Sequence, residues 1–179
     1  VTSNGGLPGL RGGDHIGLTV PDLDEAERFF VDIIGCTPFY EIGPIASDDG
    51  WMSRQLGVDD RAVVKRLKFL RCGAGLNIEL FEYVAPDQNR AWPRNSDWGG
   101  FHIALYVDDF SAALAHLKAA GVTVLGEPVV RTEGPSAGTT WIYVQAPWGL
   151  TLELVSFPEG KGYERQRSER LWHPAHPSD

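Results

Sequence analysis

Cysteine and methionine are scarce in this chain, with two of the first and one of the second among 179 residues. Cys36 and Cys72 lack the paired spacing of a structural zinc site, and two cysteines are too few for a disulfide scaffold. The expectation is a reducing, cytoplasmic setting. Basic residues are also few: 16 Lys and Arg stand against 24 Asp and Glu, a net charge of −8. A surface of that sign repels phosphate backbones, so nucleic acid is not expected as a partner. No run approaches the roughly 18 consecutive apolar residues of a membrane span. The opening VTSNGGLPGLRGG lacks the basic-then-apolar order of a secretory signal. Length and a 42% apolar content fit a globular chain of one domain or two small halves.

The halves are written on one plan. His15-Ile-Gly-Leu-Thr-Val20 returns as His102-Ile-Ala-Leu-Tyr-Val107, and Asp22 and Ala26 then match Asp109 and Ala113 without a gap. Asn77-Ile-Glu-Leu-Phe81 and Thr151-Leu-Glu-Leu-Val155 close the two copies. HIGLTV and HIALYV alternate as half-buried strands do, whereas Ala26, Phe29, Phe30, Ile33 and Ile34 recur at helical spacing. Asp22 with Glu25 marks a helix start, and Gly35 and Gly121 are natural stops. Further strands are expected over 61–71, 76–83, 139–146 and 150–157. The fold class is therefore α+β, two tandem βαβββ modules over 12–84 and 100–158, with a linker at 85–99 and a tail at 159–179. The stretch 43–60 has weak periodicity and is long enough for a functional lid.

Side chains alternate across a strand, so the faces can be read directly. His15, Gly17 and Thr19, with His102, Ala104 and Tyr106, stand opposite the aliphatic face of their strands. Glu79 and Glu153 stand on the corresponding face of the closing strands. If each sheet curves, two imidazoles and two carboxylates line a cup and suit one divalent ion: Ni, Co, Fe, Mn or Zn. Four protein ligands on a six-coordinate ion leave two positions for water or substrate.

A lone strand histidine is usually structural, and the matching of His with His and Glu with Glu is what singles these four out. His116, His173 and His176 lack that support and read as surface residues. Tyr106 and Tyr143 read as cavity-wall aromatics, with acid/base help as the alternative. Lys65, Arg66, Lys68 and Arg71 read as a solvated edge rather than as a site for an anionic substrate tail. In the tail, Tyr163, Leu171 and Trp172 are candidates for packing on a neighbour.

The modules with DHIGLTV, IELFEY, GGFHIALYVDD and PWGLTLELVSFP resemble the vicinal oxygen chelate superfamily over about residues 12 to 158. That group includes glyoxalase I, methylmalonyl-CoA epimerase, extradiol dioxygenases, fosfomycin-resistance transferases and bleomycin-binding proteins. The resemblance implies a cupped mixed sheet around one metal held by His15, Glu79, His102 and Glu153, often completed by dimerisation or module exchange, so a homodimer is expected. A ligand at Glu79 resembles glyoxalase I, whereas Ala146-Pro147-Trp148-Gly149 departs from the superfamily's common Asp-Pro-Asp-Gly turn. The implied activity is that of a metal-dependent lyase or isomerase acting on a small carbonyl substrate, with Glu153, or secondarily Glu79, as proton acceptor. The alternatives are ring-cleaving oxygenation and drug sequestration without chemistry.

Overall fold

In a computed structural model that describes residues 7–177, each repeat builds one four-stranded mixed sheet. The first contains β1 (Ile16–Thr19), α1 (Leu23–Arg28), β2 (Thr37–Ile42), α2 (Trp51–Leu56), β3 (Val63–Cys72) and β4 (Leu76–Val84). The second contains β5 (His102–Tyr106), α3 (Phe110–Ala119), β6 (Thr123–Val130), β7 (Thr140–Gln145) and β8 (Thr151–Ser156). The strand orders are β1-β4-β3-β2 and β5-β8-β7-β6, with β1 parallel to β4 and β5 parallel to β8. The strand that follows His15 and the strand that His102 opens thus each lie beside the Glu-bearing strand of their own repeat. Among the described residues no helix is long and apolar enough to cross a membrane.

The helix starts lie where the sequence places them. Asp22 Oδ1 accepts from the Glu25 amide at 2.8 Å and Asp109 Oδ1 from the Ala112 amide at 2.9 Å, each satisfying a donor the helix leaves free. After Arg28 the first helix widens into a π turn over Phe29–Ile33, and both Phe29 and Phe30 are buried there. One hydrophobic core spans both repeats: Leu18, Ile78 and Leu80 of the first sheet join Ile103, Leu152 and Leu154 of the second. Trp148 bridges them, its ring 5.5 Å from that of Phe29. His116 is exposed, as expected, and also joins the halves, with Nε2 2.8 Å from the Ile33 carbonyl.

Three expectations are revised. Cys36 and Cys72 form a disulfide, which removes the argument for a reducing compartment drawn from their small number. The register explains the pairing: Thr37 lies opposite Arg71, and the flanking cysteines meet at the end of that ladder, Cα to Cα 4.3 Å, although 36 residues apart. The lid stretch is not loop throughout, since it contains α2, whose Met52 is fully buried against Ala62, Val64 and Leu67. The cations of β3 are not simply solvated. Arg66 pairs with Asp24 of α1 at 2.8 Å and with Glu41 of β2 at 2.6 Å, while Lys68 joins Glu41 to Glu27 of α1. These ion pairs tie helix to sheet and leave neither cation for an anionic substrate.

Candidate metal centre

His15 immediately precedes β1 and His102 opens β5, and both side chains lie on the face turned away from the core. His15 Nε2 lies 3.2 Å from Glu79 Oε2, and His102 Nε2 lies 3.1 Å from Glu153 Oε2. Register produces both pairs: Gly17 is opposite Glu79 and Ala104 is opposite Glu153, so the histidine two residues earlier leans onto the same carboxylate. The carboxylates are mostly shielded, at 16% and 18% side-chain exposure, while both histidines remain open at 36%. Burial pushes the Glu79 carboxyl above its ordinary range, outweighing the opposing pull of His15. His15 is itself raised, chiefly by its hydrogen bond to Asp14.

An aromatic ring backs each pair. Phe69 of β3, opposite Glu79 in register, meets the His15 ring edge-on at 5.2 Å. Tyr143 of β7, opposite Glu153, meets the His102 ring at 5.1 Å. Burial, and then the charge of Glu153, raises the Tyr143 phenol. Tyr143 therefore stands beside the second pair, on the same face of the sheet as Glu153. The two repeats differ behind the imidazoles. Asp14 Oδ2 lies 2.7 Å from His15 Nδ1, and the side-chain amide of Asn77 donates to the Asp14 carbonyl at 2.9 Å. The second repeat has Phe101 at the position of Asp14. Sequence reasoning missed Asp14; its place beside His15 was the available signal.

The chain brings the four expected ligands together two by two. Among the described residues no three of His, Cys, Asp and Glu gather into a group able to hold a metal ion. The shared core explains the separation. It joins the helices to one face of each sheet, and the ligand faces are the faces it does not use. A cavity of about 640 Å³ between the repeats, lined by Ile34, Leu76, Ala104 and Leu117 among others, contains none of the four.

The donor chemistry of each pair nonetheless suits a divalent ion. Each imidazole offers Nε2 beside one carboxylate oxygen. At His15 an outer carboxylate occupies Nδ1 and so directs Nε2 to the site, the arrangement by which proteins orient metal-binding histidines.

A family model for the glyoxalase/bleomycin resistance protein/dioxygenase superfamily matches residues 14–143. The chain is 48% identical, over 94% of its length and 92% of the relative's, to a 2-epi-5-epi-valiolone epimerase from an Actinomyces species. That relative is an isomerase, one of the enzyme types implied by the sequence. A protein of Escherichia coli K12, YaeR, is 29% identical over 82% of this chain and 96% of its own. Among solved structures, a glyoxalase family protein from Bacillus cereus superposes with a TM-score of 0.63 at 22% identity, covering 82% of this chain and 94% of that one. The fosfomycin resistance protein FosX of Listeria monocytogenes, in complex with Mn(II) and sulfate, superposes with a TM-score of 0.53 at 22% identity, covering 88% and 99%.

Proposed function

The chain belongs to the glyoxalase/bleomycin resistance protein/dioxygenase superfamily, and from that footing we propose that it is a metal-dependent epimerase of a polyhydroxylated ketone. The observation that carries this reading is the intact His–Glu pair in each repeat, in a chain 48% identical to an epimerase whose substrate name is that of such a ketone.

His15 and Glu79 from one copy, with His102 and Glu153 from a second copy, would hold the divalent ion. β1 and β5 are both edge strands, and their unpaired edges support a pairing between copies that sets the first repeat of one beside the second repeat of the other. The active form is then a homodimer with two equivalent sites. When bound, the ion polarises the ketone and acidifies the neighbouring C–H.

The chain's own groups move the proton. Glu153, its carboxylate released from the ion, would take it from the carbon beside the carbonyl. Glu79, supplied by the opposite repeat and entering the cycle protonated, would give its own proton to the other face, which inverts that centre. Exchange with solvent would then return Glu153 to the carboxylate and Glu79 to the acid. Phe69 and Tyr143 back the two imidazoles, and the mostly shielded carboxylates beside them act where they are poorly solvated.

Exchange of the α-hydrogen in D2O, followed by NMR with 2-epi-5-epi-valiolone and metal-loaded protein, tests the reading. Glu153→Gln is expected to slow exchange about 10²–10⁴-fold, the usual worth of a positioned general base. Wild-type exchange no faster than that of the variant contradicts it.

A further inference from the structure

The tail after Phe157 lies outside the duplicated modules, yet its His173 returns to Tyr106 at the end of β5 and to Phe157 just beyond β8. The ring of His173 packs 4.4 Å from Tyr106 and 4.8 Å from Phe157, centroid to centroid, so it is not a free surface residue. Tyr106 shares its face of β5 with His102 and lies opposite Val155. That is one same-face step beyond the Ala104–Glu153 level, roughly 6–7 Å along the strand. A six-membered carbon ring with its hydroxyls spans about that distance, so a ligand held at the level of Glu153 reaches Tyr106 and the imidazole resting on it.

The first repeat is closed at the corresponding level by different chemistry. Thr19, Phe81 and Leu67 share a register row one step beyond Glu79, and α2 lays Met52 in the apolar cluster that contains Leu67 and Phe81. One cup therefore has an apolar floor drawn from within its module. The other has a floor supplied by the tail, and that floor is polar. A cavity of about 340 Å³ lies along the tail, bordered by Tyr106, Phe157, Lys161, Glu164, Arg170 and His173 among others, and it meets the sheet at Tyr106, one step beyond the His102–Glu153 pair. Its size falls within the range of small-ligand sites, roughly 300–1,000 Å³.

The tail holds His173 in a defined state. The Ala175 amide donates to His173 Nδ1 at 3.1 Å and the His176 amide donates to the His173 carbonyl at 3.0 Å, closing a turn around the ring. With Nδ1 accepting, the proton of the neutral imidazole sits on Nε2, and among the described residues that donor has no protein partner. We propose that the C-terminal tail forms a specificity wall of the substrate site, with His173 Nε2 donating to a ring hydroxyl at the end of the substrate away from the His–Glu pairs. The proposal rests on the epimerase reading and names the determinant that distinguishes a polyol ketone from a plain one.

The test compares 2-epi-5-epi-valiolone with 2-hydroxycyclohexanone, which keeps the ketone and its adjacent hydroxyl but lacks the distal ones. His173→Phe preserves ring packing on Tyr106 and Phe157 and removes the donor. It is expected to raise KM for the first ketone about five- to tenfold, with kcat little changed, and to leave KM for the second unaltered. His173→Gln, which restores an N–H, is expected to recover part of the loss. Calorimetric titration with the ring alcohol made by reducing the first ketone should show the same weakening without any turnover.

Equal effects of His173→Phe on both ketones, or none on either, would overturn the proposal. If wild-type protein exchanged neither ketone, the epimerase reading would fall, and the calorimetry would still decide. Weaker binding of the ring alcohol to the Phe variant supports the wall, while unchanged or absent binding overturns it.

Discussion

Asp14 holds His15 from behind: its Oδ2 lies 2.7 Å from the imidazole Nδ1 and leaves Nε2 turned to Glu79. The contact is local to the first repeat, because Phe101 stands in the matching position before His102. The two half-sites therefore present chemically similar donors with unequal support, and the first imidazole is the more firmly oriented.

Asp14→Asn is expected to weaken metal binding about 10–100-fold, as loss of an outer carboxylate commonly does. Metal titration monitored with a competing chelator measures it. Unchanged affinity would mean that the contact is incidental to ligand orientation.

Met52→Ala is expected to lower stability by about 2–5 kcal/mol, since Met52 is fully buried and is the buried residue by which α2 is anchored. Met52→Leu, of similar volume, should cost less than about 1.5 kcal/mol. Urea denaturation of the two variants checks the pair of values. An Ala variant as stable as wild type would show that α2 does not seal the first cup.

The ion-pair network under α1 gives stability a defined pH dependence. Arg66, and then Lys68, hold the Glu41 carboxyl at about 2, against an ordinary value of 4.5. Because the folded value is depressed, the contribution is complete above 4.5 and is lost as pH falls towards 2. The urea midpoint of wild type should fall across that interval more steeply than that of Glu41→Gln. At neutral pH the variant should be the less stable protein, and near pH 2 the two should converge. Parallel pH profiles would contradict the assignment.

Much of this was legible in the sequence because duplication leaves a double record. Strands that bury one face announce themselves by alternation, as β4 does with Ile78 and Leu80 inward. β2 gives no such signal, for all six of its residues are exposed at a sheet edge. α2 was hidden because one buried residue in six sets no period. The His–Glu pairing was readable from matched faces. That the two pairs stay apart within a chain was not, since spacing along the sequence does not say which copy's repeats face each other. His173 could not be singled out either: in a polar, proline-bearing tail its position depends on a turn and on two aromatic neighbours distant in sequence.

The sharing of each site between two copies is tested most directly by mixing two inactive proteins. One carries His15→Ala with Glu79→Ala, the other His102→Ala with Glu153→Ala, and both are unfolded and refolded together. A site built from two copies leaves one intact centre in every mixed dimer. Random pairing then restores about a quarter of wild-type metal content and exchange activity. Mixed dimers that form yet bind no metal and exchange no hydrogen would contradict the shared site.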